Sequence, residues 1–161
     1  WLEYWLKFKV LCKEVGSVIF DIDDTLVNKK EQIIPEMFHI YKLCLSIGLV
    51  VNIITARPDT KQNRIATRHM LFSNDITEFE ALYMMPSDIK PTFETISRYK
   101  YDARADVARR HNILANCGDM WTDHYKYRTI KSLNDRSNAE TAICFLPGQH
   151  FPSLKLPASV V

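Results

Sequence analysis

The stretch Val18-Ile19-Phe20-Asp21-Ile22-Asp23-Asp24-Thr25-Leu26 is the part of the chain from which we begin to predict the fold class. The stretch begins with a short apolar run rich in β-branched and aromatic residues, which is typical of a buried strand. Asp21 ends that run, so its carboxylate leaves the strand at an edge of the sheet. In parallel α/β sheets, ligands bind beyond the carboxyl ends of the strands. The stretch therefore predicts a buried strand with a polar site at its end.

Apolar runs of the same kind alternate with helical segments along the chain. The predicted strands cover 15–20, 49–54, 81–85, 113–117 and 141–146, and the predicted helices cover 35–46, 60–72, 92–97 and 102–111. Pro35 suits a first helical position, Gly48 a helix stop and Asp59 an N-cap. Strands alternating with helices predict an α/β fold, a Rossmann-like parallel sheet of about five strands with flanking helices.

The length of 161 residues predicts one domain, 1–161. Within it, 1–14 are expected to form a helix packed on the domain, and 147–161, with three of the seven prolines, an extended surface tail. No apolar stretch approaches the roughly 20 residues that cross a bilayer. The net charge of +2 by itself indicates neither a nucleic-acid nor a membrane partner. The four cysteines lack C-x-x-C spacing and no Asn-x-Ser/Thr site is present, which favours a cytoplasmic protein.

Polar residues follow the predicted strands at the edge where the strands converge. These residues are Asp21, Asp23, Thr55, Asp119 and, from helices and loops, Lys100 and Asp123. Several carboxylates in one place repel each other unless a cation or a shared proton intervenes. Carboxylate oxygens suit Mg²⁺, which water and phosphate complete to an octahedron. Asp119 would bind the metal. Asp123 would either bind the metal itself or support the residues that bind it. The sequence thus predicts a phosphoryl-transfer site.

The other residues of this set have roles in the same chemistry. Asp21 would attack phosphorus in line and form an aspartyl phosphate. Asp23 would protonate the leaving oxygen and then activate the water that hydrolyses the intermediate. Thr55 would bind a phosphoryl oxygen, and Lys100 would neutralise developing charge and keep Asp21 ionised.

A purely structural interpretation of each feature is also open. An Asp-x-Asp in a turn is usually a cap or a solvated acid, and a threonine after a strand is usually an N-cap. The basic residues from 98 to 110 also fit the solvated face of a helix. The site is favoured because its residues follow successive strands in the right order.

The sequence resembles the haloacid dehalogenase (HAD) superfamily of phosphatases over roughly residues 15–124. Four motifs carry the resemblance: Asp-x-Asp-x-Thr at 21–25, Thr-Ala-Arg-Pro at 55–58, a lysine, and Gly-Asp-x-x-x-Asp at 118–123. The lysine fits best at Lys100, with Lys90 as the competing candidate. The second and fourth motifs are similar to the acid phosphatase branch, which includes class B acid phosphatases and plant vegetative storage proteins.

This resemblance implies an HAD-like fold and a phosphomonoester hydrolase. It implies Asp21 as nucleophile, Asp23 as acid/base, and Mg²⁺ held by Asp21, the Asp23 backbone carbonyl and Asp119. Thr25 and Arg57, which belong to the first two motifs, become candidate substrate-binding residues. Some relatives that serve as storage proteins have lost the nucleophile, and its presence here favours activity. The acid phosphatase branch favours export, against the argument from cysteines.

The intervals between the motifs leave no room for a full cap domain. HAD members without caps resemble enzymes that act on exposed phosphates of large molecules, or that close their sites by forming homo-oligomers. Residues 27–34 would form a short flap after the first motif. We expect Lys29 or Lys30 on this flap to touch the leaving group of the substrate.

Three alternatives stay open at this point. The open site and the basic residues from 98 to 110 permit a polynucleotide end phosphatase, with nucleic acid as its substrate. A receiver-type signalling domain also gathers acids and a lysine at strand ends, but the order of residues here argues against it. The intact acids disfavour an inactive storage or scaffold relative.

Overall fold

A computed structural model of the protein describes residues 1–124, 142–145 and 151–156. Helices and strands alternate along it. The helices are α1 (Leu2–Leu11), α2 (Pro35–Ser46), α3 (Lys61–Ser73) and α4 (Phe93–Arg110). The strands are β1 (Ser17–Phe20), β2 (Val50–Asp59), β3 (Ala81–Pro86), β4 (Ile113–Gly118), β5 (Ala142–Phe145) and β6 (Pro152–Lys155). A 3₁₀ turn, Trp121–Asp123, follows β4.

The strands of the described residues form one sheet in the order β3-β2-β1-β4-β6-β5. From β3 to β6 the neighbouring strands pair in parallel. All four residues of the central strand β1 are buried, as expected for a strand covered on both faces of a parallel sheet. The predicted α/β fold with a parallel sheet of about five strands is confirmed. Because β1, β2 and β4 are parallel neighbours, their carboxyl ends lie at one edge.

The C-terminal part of the sheet differs from the sequence prediction. The fifth predicted strand, at 141–146, appears as β5, but it runs antiparallel to its neighbour β6. Residues 147–161 were expected on the surface, yet β6 from this segment lies between β4 and β5. Ser153 and Lys155 of β6 are buried. The physical reason is that β4 would otherwise expose an unpaired edge. Residues 157–161 lie outside the described part of the chain.

Local capping sets where α2 and α3 begin and end. Pro35 is the first residue of α2, as predicted, and Gly48 with φ of +76° follows the end of that helix. Thr60 caps α3 because its side-chain oxygen accepts the Asn63 N–H at 3.1 Å. The prediction of Asp59 as the N-cap is therefore wrong, and Asp59 is the last residue of β2.

One continuous helix, α4, replaces the two predicted helices at 92–97 and 102–111. A capping box of Thr92 and Thr95 begins it, and no glycine or proline interrupts it. Its buried residues recur with helical spacing: Ser97, Lys100, Ala103, Arg104 and Val107. The break predicted between residues 97 and 102 contains the buried Lys100, which interrupts the apolar pattern.

Helix α1 packs on the domain through one face. Leu2 and Leu6 are buried, and Trp5 Nε1 donates a hydrogen bond to the Leu114 carbonyl oxygen at 2.9 Å. Anchoring of this kind fits the expectation of a helix docked on the sheet. Across the described ranges, no helix has the length and apolar character that crossing a membrane requires.

Candidate active site

Three buried aspartates meet at the carboxyl edge of the sheet. Asp21 follows β1, Asp119 follows β4, and Asp123 is the last residue of the 3₁₀ turn. Each offers a carboxylate oxygen, and these oxygens lie within 4.8 Å of one another. They converge because β1 and β4 are neighbouring parallel strands. The structure thus brings together three of the four predicted metal-binding residues through their side chains.

Lys100 reaches this cluster from α4. Its Nζ donates to Asp21 Oδ1 at 2.9 Å and also to Asp123 Oδ1. The Lys100 side chain is only 5% exposed, so both contacts lie away from solvent. Lys90, the competing candidate, lies exposed before α4. The lysine that meets the aspartates is therefore Lys100.

Asp123 is held from several sides. Its Oδ2 accepts the Met120 N–H at 2.9 Å. Its backbone carbonyl accepts hydrogen bonds from Arg104 Nη1 at 2.5 Å and from Asn116 Nδ2 at 2.9 Å. A β-carbon at Gly118 would overlap the Asp123 carboxylate, so only glycine fits at that position. Asp123 is thus fixed in place by its surroundings.

A cleft of about 200 Å³ opens at this edge of the sheet. Charged side chains line it together with apolar side chains, and the lining residues are Asp21, Asp23, Asp24, Ala56, Phe93, Ile96, Lys100, Asp119, Met120 and Thr122. Drug-sized ligands occupy clefts of roughly 300–1,000 Å³. The volume of this cleft is therefore below the usual range for drug-sized ligands.

Asp23 lines the same cleft, but its carboxylate is bound by Arg57. Arg57 Nη2 donates to Asp23 Oδ1 at 2.6 Å, and Arg57 Nε donates to Asp23 Oδ2 at 3.1 Å. The Asp23 side chain is 54% exposed, in contrast to the buried aspartates. The Asp23 side chain thus lies in the same cleft but outside the cluster of Asp21, Asp119 and Asp123.

The two threonines of the predicted site are both buried. Thr55 lies in β2, and its Oγ1 accepts the Arg57 backbone N–H at 3.2 Å. Thr25 Oγ1 has no hydrogen-bond partner among the described residues. A buried hydroxyl without a partner usually has a reason, such as a group that binds there.

Residues 27–34 form a small hairpin-like flap after the first motif. Val27 bridges to Ile33, and the Ile34 N–H donates to the Leu26 carbonyl oxygen at 2.9 Å. Lys29 and Lys30 lie exposed near its tip. In the described part of the chain, neither lysine is among the residues that line the cleft.

A family model described as HAD superfamily, subfamily IIIB (acid phosphatase), matches residues 26–147. The match covers about three quarters of the chain. The chain belongs to this family. The resemblance drawn from the motifs is thereby confirmed, and the protein is a phosphatase of the HAD superfamily. No curated protein matches the chain. The matched range begins directly after Thr25, so roles within 21–25 rest on the residues and their geometry.

Three buried carboxylates of the candidate site lie near the Lys100 ammonium group and the buried Arg104 guanidinium, which leaves one negative charge when all five groups are ionised. This balance favours a bound cation. Burial raises the pKa of Asp21 well above its usual range, against the opposing charge of Lys100. Burial, with the nearby Asp123 carboxylate, raises the pKa of Asp119 to about 7. A divalent cation stabilises the ionised form of carboxyl groups whose pKa is raised by burial and by neighbouring negative charge. The donor set therefore fits a hard ion such as Mg²⁺.

Lys100 and Asp123 form the ionic pair behind this donor set. Burial opposes the charge on Lys100, but the carboxylates of Asp123 and Asp21 outweigh it and raise the pKa of the lysine. Burial also opposes ionisation of Asp123, yet Lys100 lowers the pKa of this carboxyl overall. Lys100 thus mainly neutralises Asp123, and Asp21 and Asp119 are the two that face the cleft.

Several polar residues that contact the candidate site were not predicted from the sequence. Asn116 and His124 are buried and contact each other, with 3.0 Å between Asn116 Nδ2 and His124 Nδ1. Burial lowers the pKa of His124 to about 4, so this imidazole is neutral at pH 7. An asparagine inside the apolar run of β4 was the available signal for this pair. Glu31 on the flap, which contacts Arg57, had no signal in the sequence.

Proposed function

We propose that this phosphatase hydrolyses phosphomonoesters with Mg²⁺ through an aspartyl phosphate on Asp21. One observation carries the proposal: the Asp21 carboxylate is buried at the end of β1, bound to Lys100 at 2.9 Å and within 4.8 Å of an Asp119 oxygen. A carboxylate fixed on a rigid strand and paired with an ammonium group is suited to nucleophilic attack.

In the proposed reaction, a bond forms between an Asp21 oxygen and phosphorus while the bond from phosphorus to the leaving oxygen breaks. Lys100 stabilises the charge that develops on the phosphoryl oxygens. Asp23, in the same cleft, gives its proton to the leaving oxygen. In the second step Asp23 accepts a proton from water as the water oxygen bonds to phosphorus and the bond between phosphorus and the Asp21 oxygen breaks, which releases phosphate and restores both aspartates. Thr55 offers its hydroxyl to a phosphoryl oxygen.

We propose that Asp21, Asp119 and the Asp23 backbone carbonyl hold the Mg²⁺, with Asp123 supporting them from behind. The convergent oxygens and the excess of negative charge support this assignment. When bound, Mg²⁺ would neutralise charge on the transferring phosphoryl group.

The proposed substrate is a small phosphomonoester or an exposed phosphate on a larger molecule. The small cleft supports this, as does the connection from β1 to α2, which holds a loop and the flap and no full cap domain. Substrate contacts are proposed for Thr25, Arg57, Lys29 and Lys30. Thr25 has the unpartnered hydroxyl, and Arg57 is bound to Asp23 at the cleft.

Nucleic acid is the weaker candidate for the substrate. The basic residues of α4 that would bind a polynucleotide backbone are already paired with acids. Arg98 pairs with Glu94, Arg109 with Asp106, and Arg110 with Glu80 and Asp106. Their charges are largely balanced, so they form a poor polynucleotide-binding surface.

Two further expectations accompany the proposal. We propose a cytoplasmic location, because Cys12, Cys44 and Cys117 are free thiols, as in proteins of reducing compartments. A homo-oligomer that closes the open cleft stays a prediction.

The test is steady-state hydrolysis of p-nitrophenyl phosphate, with Mg²⁺ or with EDTA, by the wild type, Asp21→Asn and Asp88→Asn. Asp88 is exposed before α4 and serves as the matched control for the same chemical change. We expect activity that requires Mg²⁺, that falls by at least about 10³-fold in Asp21→Asn, and that persists in Asp88→Asn. Equal activity in Asp21→Asn and the wild type would sink the mechanism, whereas a wild type without turnover would favour the storage alternative.

A further inference from the structure

A chain of ion pairs links the flap to Asp23. Arg57 Nη2 lies 2.6 Å from Asp23 Oδ1 and 3.3 Å from Glu31 Oε1. Arg57 Nε adds a second bond to the Asp23 carboxylate, so the guanidinium grips both of its oxygens. The Arg57 side chain is 22% exposed, while those of Asp23 and Glu31 are both more than half exposed. The guanidinium is thus held between the two carboxylates.

The backbone of the flap fixes where Glu31 stands. The Glu31 N–H donates to the Asn28 carbonyl oxygen at 2.8 Å, and Asn74 Nδ2 at the end of α3 donates to the Glu31 carbonyl oxygen at 3.0 Å. Glu31 has φ of +57°, in the left-handed region that residues with a β-carbon seldom adopt. Such a conformation persists where surrounding contacts enforce it, and it often marks a functional segment.

Stability is a poor explanation for this arrangement. Ion pairs between exposed side chains contribute little to the free energy of folding. A two-pronged contact between a guanidinium and a carboxylate instead fixes the orientation of both groups. Because Glu31 holds the guanidinium from the other side, Arg57 cannot rotate away from Asp23 without breaking its contact with the flap.

We propose that Glu31 is a positioning residue that acts through Arg57 to aim the Asp23 carboxyl group at the leaving oxygen. The inference rests on the proposed function, in which Asp23 transfers its proton to that oxygen as the phosphorus–oxygen bond breaks and Asp21 bonds to phosphorus. Arg57 contacts the two carboxylates through Nε and Nη2, so we expect its Nη1 to donate to the substrate.

The proposal predicts which esters depend on Glu31. An alkoxide such as that of glycerol 2-phosphate leaves only when it is protonated, whereas p-nitrophenolate leaves without a proton. The informative quantity is kcat/KM, since it reports steps up to formation of the aspartyl phosphate. Misplacing a catalytic group by about 1 Å costs roughly 10²-fold. We therefore expect Glu31→Gln to lower kcat/KM for glycerol 2-phosphate about 10- to 100-fold more than for p-nitrophenyl phosphate.

Two further variants make the test specific. Glu36→Gln changes the same charge at an exposed position of α2 and should alter neither value. In an Arg57→Ala background, adding Glu31→Gln should cost less than about twofold, because residues that act as a unit are not additive. An equal fall in kcat/KM for both esters would overturn the positioning role of Glu31 and leave the proposed function intact. An effect of Glu31→Gln that is as large in the Arg57→Ala background as in the wild type would do the same. A wild type that hydrolyses neither ester would overturn both the proposed function and the positioning role of Glu31.

Discussion

Replacing Lys100 by methionine tests the charge balance on which the site depends. At the 2.9 Å between Lys100 Nζ and Asp21 Oδ1, two unit charges attract by about 6 kcal/mol for an effective dielectric constant of about 20. Desolvation of the buried ions offsets part of this attraction. Removing one partner of a buried pair typically costs about 3–5 kcal/mol, because the remaining charge is left uncompensated. We expect a loss of this size in the free energy of unfolding of Lys100→Met at pH 8.

The loss in the free energy of unfolding caused by Lys100→Met should become smaller as the pH falls. Without Lys100, the buried carboxyls have folded-state pKa values above those of the unfolded chain, so the folded state binds more protons. The free energy of unfolding therefore falls as the pH rises from the ordinary carboxyl pKa of about 4 towards the raised folded values. Near pH 5 the carboxyls of Asp21 and Asp123 can take up protons, which removes most of the repulsion.

The assay is urea denaturation of metal-free protein at pH 5 and pH 8, with Lys90→Met as the matched control. Lys90 is exposed, so its replacement should change the free energy of unfolding by less than about 0.5 kcal/mol at either pH. Equal stability of Lys100→Met and Lys90→Met at pH 8 would refute the reasoning. A deficit of Lys100→Met that grows towards pH 5 would also refute it.

Two more predictions follow from the same edge of the sheet. In the wild type, burial raises the folded-state pKa of Asp21 and brings that of Asp119 to about 7. Burial of His124, which lowers its pKa to about 4, makes stability rise with pH over part of the same range, but one imidazole is outweighed by two carboxyls. Calorimetry with EDTA should therefore show a net fall in stability as the pH rises from about 4 to about 7. Stabilisation by Mg²⁺ should be larger at pH 8 than at pH 5, and the same Mg²⁺ effect at both values would contradict this. Gly118→Ala should lower the free energy of unfolding by about 1–3 kcal/mol, because its β-carbon overlaps Asp123, and should also lower activity. Gly48→Ala meets open space and should be strained by its φ of +76° without loss of activity; an equal loss of activity in both variants would show that the overlap is not the cause.

The fold and the central aspartates could be predicted because both follow from strands. A short apolar run that ends in a carboxylate predicts a buried strand and places that carboxylate at the sheet edge, as β1 and Asp21 illustrate. Parallel pairing then brings Asp119 beside Asp21 from a distant part of the chain. For these residues, local sequence and sheet geometry agree.

Other features depend on contacts that local sequence does not contain. Two helices were predicted in place of α4 because the polar Lys100 interrupts the apolar pattern, although its contacts with buried aspartates compensate for its burial. Strand β6 was predicted as part of an extended tail because the segment 147–161 contains three prolines, and only the open edge of β4 explains its position. The contact between Glu31 and Arg57 joins an exposed residue of the flap to a half-buried residue of β2, and no periodic pattern predicts such a contact.

The position of β6 in the sheet also affects the order in which parts of the chain can fold. The Leu156 N–H donates to the carbonyl oxygen of Gly118, the residue just before Asp119, at 2.8 Å. During synthesis, the aspartates of the cleft emerge from the ribosome well before residues 152–156. Strand β4, which directly precedes Asp119, therefore lacks its neighbour until residues 152–155 are made and pair with it. Non-local pairing of this kind is slow to form, so we expect the sheet edge that carries the aspartates to become ordered only after residues 152–156 have been made.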